Sequence, residues 1–369
     1  MWHVPRRISR PLCGQLLLGP TWHKVDAHDD SRNLNIQCMD KITDKLAALP
    51  PKANYFSLEF FPPKTQAGTA NLLPRLSRLA ELKPLFVAVT WGAGGSTADK
   101  SLDLAEICQR QYGLTTCLHL TCTNSSRQKL DVALAEAKRI GIRNILALRG
   151  DEPREGEYNT SNGVHRAEDA SQEVEFKYAI DLVQYIRKHY GDYFCIGVAA
   201  YPEGYSANSY SSHSPDSDIP YLVEKVRAGA DFLMTQLFYD VNAFQDFERV
   251  LRTHESGAFR DIPIIPGLMP VQSWGILTRA TKLSSVNIPE DIKRRLESVK
   301  ADDEAVKAVG VDIVSEIVMD MKESRTRSRA FGVHFYTLNC KTLARHFHHT
   351  RLPTVRDSGE GGRSDLEEV

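Results

Sequence analysis

The chain has 369 residues, 42% hydrophobic and 25% charged, the proportions of a globular protein with a sizeable core. Its 46 Lys and Arg against 47 Asp and Glu leave a net charge of -1, which excludes a general field for nucleic acid or an anionic membrane; any anionic ligand must meet a local site. There is no run of about 18 apolar residues, and the 7 cysteines form no C-x-x-C pair or close Cys/His box, so the sequence predicts no membrane span, no metal centre and reduced thiols in the cytoplasm.

Residues 1–38 carry Arg6, Arg7 and Arg10 and no acid before Asp26, a basic start that leaves mitochondrial import as an alternative address. Pro5, Pro11 and Pro20 interrupt any amphipathic helix there, and a disordered extension is the expectation. Met39 opens a short helical pattern. From Asn54 to Thr337 strand-like and helix-like segments alternate. Short apolar runs bounded by turn residues predict strands at Tyr55–Phe60, Phe86–Thr90, Thr116–Leu120, Asn144–Leu148, Phe194–Ala199, Phe232–Leu237, Ile262–Ile265 and Gly332–Tyr336. Helical periodicity fills the intervals at Leu72–Leu82, Leu102–Tyr112, Ser125–Ile140, Val174–Tyr190, Ile219–Ala228, Ala243–Arg252 and Gln272–Leu283, with two more at Pro289–Val299 and Glu304–Glu323. Gly113, Gly141, Gly191 and Gly229 stand where helices want a left-handed stop.

Strands this apolar suit a parallel sheet covered on both faces, and units that mostly repeat at roughly 30 residues predict an α/β fold, a (β/α)8 TIM barrel over residues 39–339. The segment 340–369 is basic, then Gly- and acid-rich, and is expected to be an atypical, disordered tail in place of a regular eighth helix. His346, His348 and His349 within it lack the thiolate or carboxylate that would complete a metal set.

Chemistry in such a barrel sits at the C-terminal strand ends. Those ends are rich in polar and glycine residues: Glu59; Thr90-Trp91-Gly-Ala-Gly-Gly95; His119 and Thr121; Arg149-Gly150-Asp151; Tyr201; Gln236; and Tyr336-Thr337. Glu59 is a single carboxylate among aromatics, suited to proton donation near neutral pH or to an ion pair across the rim. Asp151 and Gln236 suit the edge of a donor-rich heterocycle, or a cap and a rim hydrogen bond respectively. His119 reads first as a packed histidine, and Lys225 as part of a solvated helix face. The glycines match neither a dinucleotide fingerprint nor a phosphate-cradling P-loop.

Taken in order, FSLEFFPPKT (Phe56–Thr65), VTWGAGG (Val89–Gly95), HLTCT (His119–Thr123), LALRGDEP (Leu146–Pro153), AAYPEGY (Ala199–Tyr205), GADFLMTQLFYD (Gly229–Asp240), PIIPGLMPV (Pro263–Val271) and HFYTLN (His334–Asn339) resemble the catalytic barrel of the methylenetetrahydrofolate reductases. The resemblance implies an FAD-bearing barrel. It also implies reduction of 5,10-methylenetetrahydrofolate to 5-methyltetrahydrofolate by NAD(P)H, with NADPH favoured over NADH, in a ping-pong route feeding methionine synthesis. By motif, Glu59 corresponds to the general acid and Asp151 to the carboxylate near flavin and pterin. Thr90, Trp91, His119, Arg149, Gly150, Tyr178, Ala179, Tyr201, Asp218 and Lys225 fall where the family contacts FAD. Gln236 and Tyr336 fall where it contacts folate or nicotinamide, and Trp274 offers either a stacking face or helical core packing.

The chain departs from the family pattern at Tyr205, where a histidine is common, and after Asn339, where it reads Cys340-Lys341-Thr342. No length remains for the S-adenosylmethionine-binding regulatory domain usual in eukaryotic members, which predicts a truncated or alternatively joined form. A homodimer is the expected assembly. The alternative function is a catalytically impaired FAD- or folate-binding barrel that pairs with a longer relative.

Overall fold

In the computed structural model, described over residues 41–92, 97–123, 125–150, 176–205, 215–284, 286–324, 330–337 and 339, eight parallel strands close in sequence order, β1 to β8. They are β1 (Asn54–Phe60), β2 (Phe86–Val89), β3 (Thr116–Thr121), β4 (Asn144–Leu148), β5 (Cys195–Ala200), β6 (Phe232–Leu237), β7 (Ile264–Leu268) and β8 (Phe331–Phe335). A short helix, α1 (Ile42–Ala48), precedes them. The connections carry α2 (Gln66–Glu81), α3 (Ala98–Glu106, running into a π-helical turn at Ile107–Gln111), α4 (Arg127–Ile140), α5 (Ala179–Tyr190), α6 (Pro215–Arg227) and α7 (Val241–Thr253). Three helices, α8 (Trp274–Ser284), α9 (Glu290–Glu297) and α10 (Asp303–Ser324), fill the link from β7 to β8. The predicted (β/α)8 barrel is therefore observed. Residues 1–38 and the tail from 340 lie outside the described residues.

Alternation along each strand divides the apolar residues between two packing layers. Phe56, Leu58 and Phe60 of β1, with Phe331, Val333 and Phe335 of β8, face the helices and join the large core between sheet and helical ring. Phe86, Ala88, Cys117, Leu146, Cys195, Phe232, Met234 and Ile265 fill the interior of the barrel. Large rings fit inside because glycines stand opposite them: a Cβ on Gly197 would lie 2.3 Å from the Phe232 ring, and one on Gly332 2.5 Å from the Tyr55 ring. Helix α1 stoppers the N-terminal end. Ile42 packs into the interior cluster, its backbone N–H donates to Asn144 Oδ1 at 2.7 Å, and Lys45 Nζ donates to Leu85 O at 2.7 Å and Thr115 Oγ1 at 3.0 Å.

Two boundaries differ from the sequence reading for physical reasons. Strand β7 runs through Pro266-Gly267, which read as a turn; the β6–β7 register shifts between Met234 and Leu237, so this irregularity absorbs the N–H that Pro266 lacks. Helix α2 begins well before Leu72, because Thr65 Oγ1 accepts from Gly68 N and starts it, and the helix continues through Pro74. The four predicted glycine stops all have positive φ, Gly141 at 94° closing α4 in the left-handed conformation. No helix among the described residues is long and apolar enough to cross a membrane.

Candidate active site

The pleat that sends Phe56, Leu58 and Phe60 outward sends Ser57 and Glu59 into the barrel, Glu59 at the C-terminal rim. Glu59 is 5% exposed, and burial pushes its carboxyl up from the ordinary 4.5 to about 8. It is therefore a neutral acid at pH 7. His119, two strands away, puts Nδ1 3.6 Å from Glu59 Oε1, too long for a hydrogen bond. Burial draws the His119 imidazole down to about 4, so the facing pair is neutral on both sides. No Arg or Lys among the described residues forms an ion pair with Glu59, so the ion-pair reading of this carboxyl finds no partner there.

Below Glu59 lies a second polar contact that sequence reasoning missed. Ser57 Oγ and His334 Nδ1 are hydrogen-bonded at 2.8 Å, the imidazole stacks on Phe86 with 5.8 Å between centroids, and Tyr336 meets it edge-on at 5.0 Å. Burial lowers the His334 pKa to about 3, so it too is neutral. The available signal was polar residues at every second position of two apolar strands, Ser57 with Glu59 and His334 with Tyr336.

The other predicted positions fall around the same rim. Thr90 is buried at the end of β2, its N–H bonded to Phe60 O at 3.0 Å. Trp91 follows it. Three buried polar atoms on this side, Trp91 Nε1, His119 Nε2 and Thr121 Oγ1, have no hydrogen-bond partner among the described residues. Gly150, at φ 89°, lets the chain turn off β4; a Cβ there would lie 2.8 Å from Thr121 Cβ. The Arg149 guanidinium sits 5.9 Å from the centre of the Tyr178 ring, which is 59% exposed just before α5, while Ala179 behind it is buried. Tyr201 after β5 leans on Tyr205, with ring centroids 4.8 Å apart, and Asp218 of α6 accepts the Tyr205 backbone N–H. The Tyr at position 205 thus belongs to a loop tied to α6. Lys225 departs from the solvated reading: it is half-buried, and desolvation lowers its pKa against the opposing pull of Asp218.

On the opposite arc, Tyr336 is anchored by its hydroxyl to Thr235 O at 2.6 Å, and the ring lies over Gly267. Its pKa is raised by burial and by the neighbouring Glu59 and Tyr201. Gln236 stands in the irregular stretch of β6 and turns its carbonyl back to Leu237 N at 2.9 Å, leaving the amide NH2 as the group it can offer a ligand. Trp274 begins α8 and packs, partly buried, against the helical core, so its observed contacts are those of core packing. Asp151 and the glycines at 94 and 95 lie outside the described residues. No cluster of metal-ligating side chains occurs among the described residues.

A family model described as methylenetetrahydrofolate reductase matches residues 42–350. "Methylenetetrahydrofolate reductase 2" of Schizosaccharomyces pombe is 47% identical over 302 residues, covering 81% of this chain and 45% of that protein. "5,10-methylenetetrahydrofolate reductase" of Pectobacterium carotovorum is 33% identical over 311 residues, covering 84% of this chain and 94% of that protein. The chain spans about half the length of the curated eukaryotic relatives it matches. Among solved structures, an uncharacterized protein from Clostridium thermocellum has the same fold, with a TM-score of 0.56 at 15% identity over 84% of this chain and 97% of that one.

Proposed function

We propose, because the chain belongs to the methylenetetrahydrofolate reductase family, that it reduces 5,10-methylenetetrahydrofolate to 5-methyltetrahydrofolate with NAD(P)H through a bound FAD, in two successive half-reactions at one rim. The observation that carries the reading is Glu59, a carboxyl held protonated at neutral pH by burial and without an ion-pair partner among the described residues.

The described residues fit a flavin. Three unpartnered buried polar atoms, on Trp91, His119 and Thr121, line adjoining strand ends, and a desolvated cation, Lys225, with its Asp218 neighbour stands on α6. With Thr90, Arg149, Gly150, Tyr178, Ala179 and Tyr201 they are the residues that would hold it. When bound, FAD supplies the relay that accepts reducing equivalents from the nicotinamide and passes them to the folate. The protein supplies position and a proton. In 5,10-methylenetetrahydrofolate one carbon bridges two nitrogens, and opening that bridge requires protonation of the nitrogen that leaves; the Glu59 carboxyl hydroxyl is the donor. The opened product is an iminium on the other nitrogen, ready to be reduced. Asp151 is the carboxylate that would balance its positive charge, while the Gln236 amide and Tyr336 ring bound the side where folate and nicotinamide alternate.

Relatives from Arabidopsis thaliana and Caenorhabditis elegans carry NADH and NADPH respectively in their names, at 40% and 38% identity, and either nicotinamide suits the scheme, with NADPH as the first choice. Anaerobic titration is the test. The purified chain is expected to be yellow, to bleach with NADPH or NADH, and to recolour with methylenetetrahydrofolate; a colourless chain that stays aggregated would overturn the reading in favour of an impaired barrel that pairs with a longer relative. The folate half-reaction is also expected to slow as pH rises through about 8, where Glu59 loses its proton. Flavin reduction, which needs no acid at that position, is expected to show no fall there.

A further inference from the structure

None of the hydrogen bonds among the described residues engages the Glu59 carboxyl, and the His119 imidazole stands 3.6 Å from it. Its direction is consequently set by the backbone that carries it. That backbone sits where one of its two ladders ends. On the β2 side, Glu59 pairs with Ala88 and Phe60 with Val89. On the β8 side, the last pair is Leu58 with Phe335, one residue short of Glu59.

Side chains continue the pairing beyond that point. Thr337 Oγ1 donates to the carbonyl of Glu59 itself, and the same oxygen accepts the Asn339 N–H at 2.9 Å. Asn339 then pairs with Phe61 in both directions: Oδ1 accepts Phe61 N–H at 3.0 Å and Nδ2 donates to Phe61 O at 2.9 Å. A single carboxamide thereby satisfies both backbone groups of Phe61. Asn339 reaches this position at φ 57°, a left-handed conformation that Asn tolerates. Arg75 of α2 holds its carbonyl at 2.7 Å.

We infer that Thr337 and Asn339 are positioning residues for proton donation to the folate, acting as a clasp that fixes the Glu59 backbone after the β1–β8 ladder has ended. The inference rests on the acid role proposed above. Displacing a catalytic group by about 1 Å is sufficient to cost about 10²-fold in rate. The NAD(P)H half-reaction draws no proton from Glu59 and is insensitive to the clasp.

The test compares both half-reactions by stopped flow in the full chain for Thr337→Val, Thr337→Ser, Asn339→Gly and Glu59→Gln. Val is nearly isosteric with Thr and removes both bonds of Oγ1, while Gly retains the left-handed backbone and removes both bonds of the carboxamide. Thr337→Val and Asn339→Gly are expected to slow the folate half-reaction about tenfold or more while leaving flavin reduction within about twofold, and Thr337→Ser to restore the rate. In the Glu59→Gln background Thr337→Val is expected to add no further loss, as for groups acting through one another. A second readout needs neither flavin nor folate. The infrared carbonyl band of the Glu59 carboxyl, identified by its loss in Glu59→Gln, is expected to titrate near 8 in the parent chain and below about 7 in Thr337→Val, as a freed carboxyl turns toward water. Equal slowing of both half-reactions, a full Thr337→Val effect in the Glu59→Gln background, or an unmoved carboxyl titration would overturn the clasp. If Glu59→Gln spares the folate half-reaction, the acid role falls and takes the clasp with it; if only the Thr337 and Asn339 variants are silent, the clasp falls alone.

Discussion

Glu59→Gln is expected to leave flavin reduction by NAD(P)H intact and to cut the folate half-reaction by about 10²- to 10⁴-fold, the usual contribution of a positioned acid. Gln keeps the shape of the side chain but has no proton to give. The same change is expected to stabilise the fold. A carboxyl raised from 4.5 to about 8 contributes its full stability only below pH 4.5, and that contribution is lost as pH rises through 8, because the unfolded chain ionises first. At pH 7 the folded protein therefore carries a cost on the order of 3 kcal/mol that an amide does not incur. The variant is expected to melt roughly 5 °C higher at pH 7 and to lose that advantage near pH 4. Stopped-flow absorbance of the flavin and calorimetry at the two pH values check the halves of this prediction. An acid-site variant that is both slower and less stable at pH 7 would mean that the carboxyl is not buried and neutral as described.

Gly197→Ala is expected to have the largest effect on stability. Its Cβ would lie 2.3 Å from Cζ and 2.4 Å from Cε2 of Phe232, a ring with no exposed surface in the barrel interior. The ring cannot retreat, since the layer that holds it is close-packed with Cys195, Met234 and Ile265. Overpacking of this kind costs about 3 kcal/mol, enough to lower the urea midpoint clearly or to send the chain into the insoluble fraction. The double variant Gly197→Ala with Phe232→Leu is expected to recover part of the loss by yielding space to the methyl group. A denaturation midpoint unchanged by Gly197→Ala would show that the interior layer is looser than this packing implies.

The barrel was legible in the sequence because a parallel sheet buried on both faces leaves dense apolar runs, and eight of them alternating with helical patterns admit few architectures. The boundary errors had local causes. Pro266-Gly267 carries the chemistry of a turn and is strand because β6 is irregular opposite it; α2 starts ahead of its predicted apolar stripe because Thr65 caps it. Glu59 was legible as a solitary carboxylate among aromatics. Its surroundings were not. Ser57 meets His334 across 277 positions of sequence, and Thr337 meets Glu59 across 278, distances at which no local pattern carries information. Gln236 shows the converse: the residue type was plain, but which of its polar ends remained available depended on an irregularity that only the pairing of β6 with β7 shows.

The stitching of β1 to β8 also has a consequence for how the molecule forms. Strands β2 to β6 pair with neighbours one helix away in sequence, so that arc can assemble from contacts of modest separation. The seam joins the two ends of the patterned chain, and its loop-closure entropy falls due before any of its hydrogen bonds repays it. The acid and its tether are therefore expected to come together late, after the arc bearing Trp91, His119 and Arg149 has taken shape. Such an order of assembly would separate the two halves of the rim in time, the side proposed for the cofactor maturing first and competence to deliver a proton arriving with closure of the ring.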